Sequence, residues 1–284
     1  MTHHSLTHRL RLTAAAAFLL CAGAGLAAAR AQAAPDQRRS AQTVRSAGST
    51  GSAASAGSTA FSGTPRIGAL FSVRNGALDG HFCTASVVHS PHRDLLVTAA
   101  HCMVTPGSGK ARRDVVFVPG YNSGRSPYGR WAVRSVVVDT HWAAHGDPDY
   151  DVAFLTTAPL GRHGRVEDQV GAESLGFDAR RGQGLTAVAV GYPWNTERPV
   201  HCASRLHDRN GGNGNQLEFD CPGMPSGTSG GPLLTGVDRT GAGPGSVVGV
   251  IGGYQTGGYT EDVSYSPYFG PAIAAVYRRA VTQS

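Results

Sequence analysis

From Arg66 onward the chain alternates short apolar runs with clusters of Gly, Pro, Asn and Asp, the pattern of strands joined by turns. The runs fall at residues 67–73, 82–88, 95–99, 115–118, 131–139, 152–156, 185–191, 200–207, 216–221, 231–235, 246–254 and 264–269. They divide evenly about a break at residues 160–184. Behind Pro271, the residues Ile273, Val276, Tyr277, Ala280 and Val281 recur at helical spacing and predict a short C-terminal amphipathic helix. Only 15% of the residues are charged, while 39 are glycine. That balance suits many short strands and tight turns better than long surface helices, and the fold class is all-β.

The N-terminal region has another character. Arg9 and Arg11 precede an apolar run from Leu12 to Ala29, which ends in the small-x-small sequence Ala29-Arg30-Ala31. This is the form of a secretory signal over residues 1–31, and the expected location is extracellular. Cys21 lies in its apolar core. Residues 32–61 are dominated by Ala, Ser, Gly and Thr and cannot bury enough surface to order themselves, so they read as a propeptide or flexible linker. The folded domain is then 62–284.

The net charge of +6 raises the question of a polyanionic partner. Residues 1–60 hold six arginines against the single acid Asp36, which leaves 19 basic and 18 acidic residues in 61–284. The domain therefore has no basic footprint for a nucleic acid, and no second apolar stretch follows the signal to hold it in a membrane.

Without Cys21, four cysteines remain, Cys83, Cys102, Cys202 and Cys221, and an even number in an exported chain implies disulfides in one of three connectivities. Cys202 and Cys221 end two runs joined by the Gly/Asn-rich loop at 208–215, so a hairpin that pairs 202 with 221 also pairs 207 with 216. By exclusion Cys83 is assigned to Cys102. No CxxC or HExxH spacing is present, and no metal site is expected.

Three segments carry chemistry. Gly227-Thr228-Ser229-Gly230-Gly231-Pro232 places a serine in a glycine-rich turn ahead of an apolar run. Acyl transfer needs backbone N–H groups converging on a developing oxyanion, and flanking glycines permit both that turn and close approach of substrate. The donors would be the N–H groups of Gly227 and Ser229. Thr98-Ala99-Ala100-His101-Cys102 sets a histidine at a strand end beside a bridging cysteine, which suits a general base held in one place. Asp149-Tyr150-Asp151-Val152 offers a carboxylate at a strand edge that can orient an imidazole, and Asp151 is preferred to Asp149 because it abuts the apolar run.

Together these segments resemble the trypsin-like serine peptidases over about residues 66–284, with motifs matching in type and in the order His, Asp, Ser. The resemblance implies two six-stranded antiparallel β-barrels of the chymotrypsin kind, with His101 and Asp151 from the first and Ser229 from the second. It implies a serine endopeptidase acting as a monomer on a protein or peptide substrate, with no cofactor. The segment Ala187-Val188-Ala189-Val190-Gly191-Tyr192-Pro193 is most similar to the bacterial glutamyl-endopeptidase branch. Two departures stand out. Thr228 occupies the place of the acid that pairs with a freed N-terminus on activation. Gly223, six residues before Ser229, stands where a carboxylate would select Arg or Lys, and Ile251 stands where the glutamyl branch has a histidine. Gly223, Met224, Ile251, Gly252 and Gly253 are then the substrate-binding residues, with a preference for apolar side chains. The rival reading is a secreted binding module that keeps the fold without activity, and Thr228 is the feature that favours it.

Overall fold

The computed structural model describes residues 57–178, 184–209 and 216–284. The expected signal peptide and most of the stretch that follows it lie outside these residues. A two-residue strand β1 (Thr59–Ala60) comes first, and then β2 (Ile67–Arg74), β3 (Ala77–Val87), β4 (Leu95–Thr98), β5 (Val115–Pro119), β6 (Trp131–Val138) and β7 (Ala153–Thr157). The last six close a barrel in the order β2-β3-β4-β7-β6-β5. Period-two alternation divides its side chains between two buried faces. Leu70, Leu96, Phe117, Trp131 and Leu155 join one core cluster. Their neighbours Ala69, Phe71, Val97, Val118 and Phe154 belong to another, shared with Val188, Val190, Tyr192 and the C-terminal helix. With both faces covered, these strands read as continuous apolar runs in the sequence.

The second half contains β8 (Ser174–Leu175), β9 (Thr186–Gly191), β10 (Val200–Asp208), β11 (Gln216–Asp220), β12 (Pro232–Thr235), β13 (Ser246–Val250) and β14 (Val263–Pro267). They form one sheet in the order β14-β11-β10-β9-β12-β13-β8, with β1 added to β10. Six of these strands, β9 to β14, correspond to the expected second barrel. Its seam is joined by the Val250 N–H to Ser266 Oγ (2.9 Å) and the Gly252 N–H to the Tyr265 carbonyl (2.9 Å).

Three helices are described: α1 (Thr140–His145), α2 (Val166–Val170) and α3 (Pro271–Gln283). The expected C-terminal helix is α3; its Ile273, Val276 and Ala280 are buried, and the Tyr277 ring packs edge-on to Phe154. The one-turn helices α1 and α2 bury one and two side chains, too few to leave a periodic signal. None of the helices among the described residues is long and apolar enough to cross a membrane.

Two local expectations need correction. β3 starts at Ala77, because an exposed, polar stretch pairs with β2 through bulges that break the alternation. The β10–β11 hairpin pairs Leu206 with Phe219 and Asp208 with Leu217, which is shifted from a register with 202 opposite 221. Upstream of Leu206, β10 pairs with β9 instead, and Cys202 lies opposite Ala189. The Cys202–Cys221 bridge therefore joins residues that are not directly paired, with their Cα atoms 6.4 Å apart.

β6 ends at Val138 because Asp139 caps α1, its side chain accepting the His141 N–H (2.9 Å). Burial pushes the Asp139 carboxyl up, but the His141 N–H and ring and the nearby Arg279 outweigh it and hold the group below its ordinary 3.8. A folded-state pKa below the unfolded one gives stability that is fully present above pH 3.8 and lost as pH falls through the folded value. Asp139→Asn is expected to lower Tm at neutral pH and to flatten its acid limb, measured by thermal melts from about pH 6 to about pH 2.

Candidate active site

β4 and β7 are antiparallel neighbours, with Thr98 opposite Ala153. The chain leaving β4 and the chain entering β7 are therefore side by side. After β4 comes a 3₁₀ turn, Ala100–Cys102, tied back to β3 by the Cys83–Cys102 disulfide (Cα–Cα 6.2 Å). His101 sits in that turn with its side chain 18% exposed. Ahead of β7, a 3₁₀ turn Pro148–Tyr150 delivers Asp151, which is fully buried.

His101 Nδ1 lies 2.7 Å from Asp151 Oδ2, and the His101 backbone N–H donates to Oδ1 at 2.7 Å. A third donor, the Gly253 N–H, reaches Oδ2 at 2.8 Å. A buried carboxylate is tolerated when charge-assisted donors surround it, and these three meet that need. With Nδ1 donating to Asp151, Nε2 is left as the acceptor of a neutral imidazole. Asp149 is engaged elsewhere, accepting from Gln216 Nε2 at 2.8 Å.

The serine turn docks on the first barrel. The Ser229 carbonyl accepts the Thr84 N–H (2.8 Å), and the Gly227 carbonyl accepts the Thr84 hydroxyl (3.0 Å). Gly227 and Gly230 have φ of +96° and +78°, a region closed to most side chains. A Cβ on Gly227 would strike Trp194 N and Tyr192 O, and one on Gly230 would strike Thr98 Oγ1 and Thr84 O. The glycines thus permit the close approach that brings the Ser229 turn against the end of β4, just ahead of His101. Gly230→Ala is expected to cost roughly 2–5 kcal/mol from left-handed backbone and overpacking together, read as a fall in the midpoint of urea unfolding.

Thr228, which replaces an acid in the family pattern, is 1% exposed and closes its own turn. Its hydroxyl donates to the Pro225 carbonyl at 2.7 Å and its N–H reaches the same carbonyl at 3.1 Å. Its side chain fills the space beside Gly191, where a Cβ would meet Thr228 Cβ at 2.5 Å. This part of the turn is held by local contacts.

Of the residues expected to bind substrate, Gly252 lies where a Cβ would come within 3.0 Å of Asp151 Oδ2, and Gly253 supplies the third donor to that carboxylate. Ile251 exchanges backbone hydrogen bonds with Gly230 and Gly231 (2.7 and 2.8 Å). The side chains of Ile251 and Met224 are buried in the core cluster of the second sheet. Gly223, at φ +87°, is covered by Ser58, whose hydroxyl donates to the Gly223 carbonyl and whose N–H donates to the Pro222 carbonyl. The sequence places Ser58 in the low-complexity stretch; the structure lays 58–61 along β10 and the 221–223 segment. Gln216 also escapes sequence reading, since one polar residue at the start of an apolar strand has no local signature. Among the described residues, Cys83, His101 and Cys102 are the one group with metal-ligating atoms close together, and both of its sulfurs are in a disulfide and unavailable as thiolates.

Comparison with known proteins gives the family and the fold. A family model described as a trypsin-like peptidase domain matches residues 83–250, which span the histidine, aspartate and serine segments. The fold is similar to that of the protease Anisep from Arthrobacter nicotinovorans (27% identity, 79% of this chain and 99% of that one, TM-score 0.66). It is also similar to the thermostable serine protease AL20 from an extremophilic microorganism (30% identity, 78% and 99% covered, TM-score 0.67). A Glu endopeptidase shares the fold at 18% identity (80% and 97% covered, TM-score 0.60). Among curated proteins nothing matches. With a family model covering more than half of its length and serine proteases of the same fold beside it, the chain belongs to the trypsin-like peptidases and is a serine peptidase.

Proposed function

We propose that the protein is a secreted serine endopeptidase that cleaves protein or peptide substrates through an acyl-enzyme, with Ser229, His101 and Asp151 as its catalytic residues. The observation that carries this reading is the fully buried Asp151 carboxylate held by three donors, one of them the His101 ring, beside the docked serine turn. Ser229 Oγ attacks the scissile carbonyl while His101 Nε2 takes its proton. His101 then protonates the leaving amine, and a water attacks the acyl-enzyme by the reverse path. Asp151 stabilises the imidazolium and fixes its tautomer. The N–H groups of Gly227 and Ser229 receive the oxyanion, and removal of one such donor typically costs about 3–4 kcal/mol of transition-state stabilisation.

Secretion is supported by the apolar N-terminal run and by the two disulfides, which persist in oxidising compartments. Gly223 has no side chain to place a charge, which supports a preference for uncharged residues before the cleaved bond. The Thr228 hydroxyl and N–H, both on the Pro225 carbonyl, close the turn locally, and this supports the enzyme reading over the binding module. The test is digestion of a denatured protein mixture with sequencing of the new termini. Internal cleavages after apolar residues, absent with Ser229→Ala, are expected; trimming from chain ends alone would overturn the endopeptidase assignment.

A further inference from the structure

Gln216 is a buried side chain that joins the two sides of the site. It starts β11 in the second sheet and is 5% exposed. Its Nε2 donates to the Pro148 carbonyl (3.0 Å) and to Asp149 Oδ1 (2.8 Å), both in the turn that delivers Asp151 from the first barrel. Its Oε1 accepts the Tyr254 N–H at 2.9 Å, at the end of the 251–254 segment. Gly253, between that bond and Asp151, has no room for a Cβ, which would strike the Gln216 amide. One buried amide thus spends both donors on the aspartate turn and its acceptor on the segment proposed to bind substrate. A buried amide so used has no solvent to fall back on, and losing it leaves partners on both barrels unpaired.

The backbone around Tyr254 needs such a tether. Gln255 and Thr256 sit at φ +54° and +53°, and for β-branched Thr256 this is a strained conformation. Strain of that kind persists only where neighbours over-determine it. Arg209 adds to the hold, its guanidinium stacked 3.4 Å over the Tyr254 ring while its N–H bonds to the Gln216 carbonyl (3.1 Å).

We infer that Gln216 is a positioning residue that keeps the 252–254 segment, which follows β13, in register with the Asp151–His101 pair, so that an extended peptide is presented correctly to Ser229. This rests on the reading of 251–253 as substrate-binding. A substrate that runs along this segment uses the register, whereas a small ester that occupies only the position before the scissile bond does not.

The test compares the wild type with Gln216→Leu, Gln216→Glu, and Gln216→Glu combined with Asp149→Asn, on an extended peptide amide and on a one-residue ester. The Glu variant keeps the acceptor for Tyr254 but sets two carboxylates face to face; the double variant restores one donor and one acceptor with their places exchanged. Both single variants are expected to lose roughly 10- to 100-fold in kcat/KM on the peptide and less than about 3-fold on the ester, with most of the peptide loss recovered in the double variant. Hydrogen exchange gives a readout that needs no activity: amides of 147–151 and 253–256 should exchange faster in Gln216→Leu while β2 to β7 keep their protection. Equal losses on both substrates, no recovery in the double variant, or unchanged exchange in those two segments would overturn the inference. A wild type that turns over the ester but cuts no peptide would count instead against the proposed endopeptidase function, with the exchange data still deciding the role of Gln216.

Discussion

Ser229→Ala is expected to lower kcat for peptide hydrolysis roughly a million-fold while KM and Tm change little. The size follows from the division of labour in the site. In the proposed mechanism the hydroxyl supplies the covalent route, and without it the oxyanion donors and binding contacts would still act on a slow attack by water, worth roughly 10³–10⁴ over the uncatalysed reaction. The fold should not suffer, because the Ser229 turn is held by its backbone: the Ser229 carbonyl on Thr84, the Gly231 N–H on Thr228 and the Gly230 N–H on Ile251. His101→Ala is expected to cost about as much, and the double variant no more than either alone, since groups that act as one unit do not add. Steady-state kinetics on one peptide substrate, with melts on the same samples, check all three.

Asp151→Asn should be the next largest, roughly a 10⁴-fold loss of kcat near neutral pH. The carboxylate uses Oδ1 for the His101 N–H and Oδ2 for the His101 ring and the Gly253 N–H. An amide has one acceptor oxygen. If that oxygen stays with the backbone donor of His101, the NH₂ faces the ring and favours the tautomer with Nδ1 bare and Nε2 protonated, which cannot take the Ser229 proton. If it turns the other way, the NH₂ meets the His101 N–H. The carboxylate is fully buried, so water cannot repair either arrangement. The kinetic signature is a loss in kcat with KM nearly constant; a loss of less than about tenfold would mean that Asp151 does not orient the base.

What could be read from the sequence, and what could not, follows from how each feature is encoded. Strands such as Leu95–Thr98 and Ala153–Thr157 are buried on both faces, so their apolar runs are unbroken, and the polar groups at their ends are the ones that meet in the site. The serine turn was legible because its glycines answer backbone demands, positive φ and close packing, that other residues cannot meet. Features built from contacts distant in sequence were not. Gln216 acts on residues 67 or 68 positions away, and Ser58 on one 165 positions away. The β10–β11 register was misread because β10 changes partner midway, pairing with β9 before Leu206 and with β11 after it. Short helices such as α1 rest on one cap and one buried tryptophan, which give no periodicity to detect.

The central claim is that Ser229 is an activated nucleophile, and a fluorophosphonate reports this without knowledge of the substrate. The protein would be labelled and the adduct located by mass spectrometry, with Ser229→Ala as control. The account predicts one adduct per chain, on Ser229, lost in the control and strongly slowed in Asp151→Asn. A chain that stays unlabelled, before and after removal of the residues N-terminal to the domain, or that carries its adduct on another serine, would contradict it.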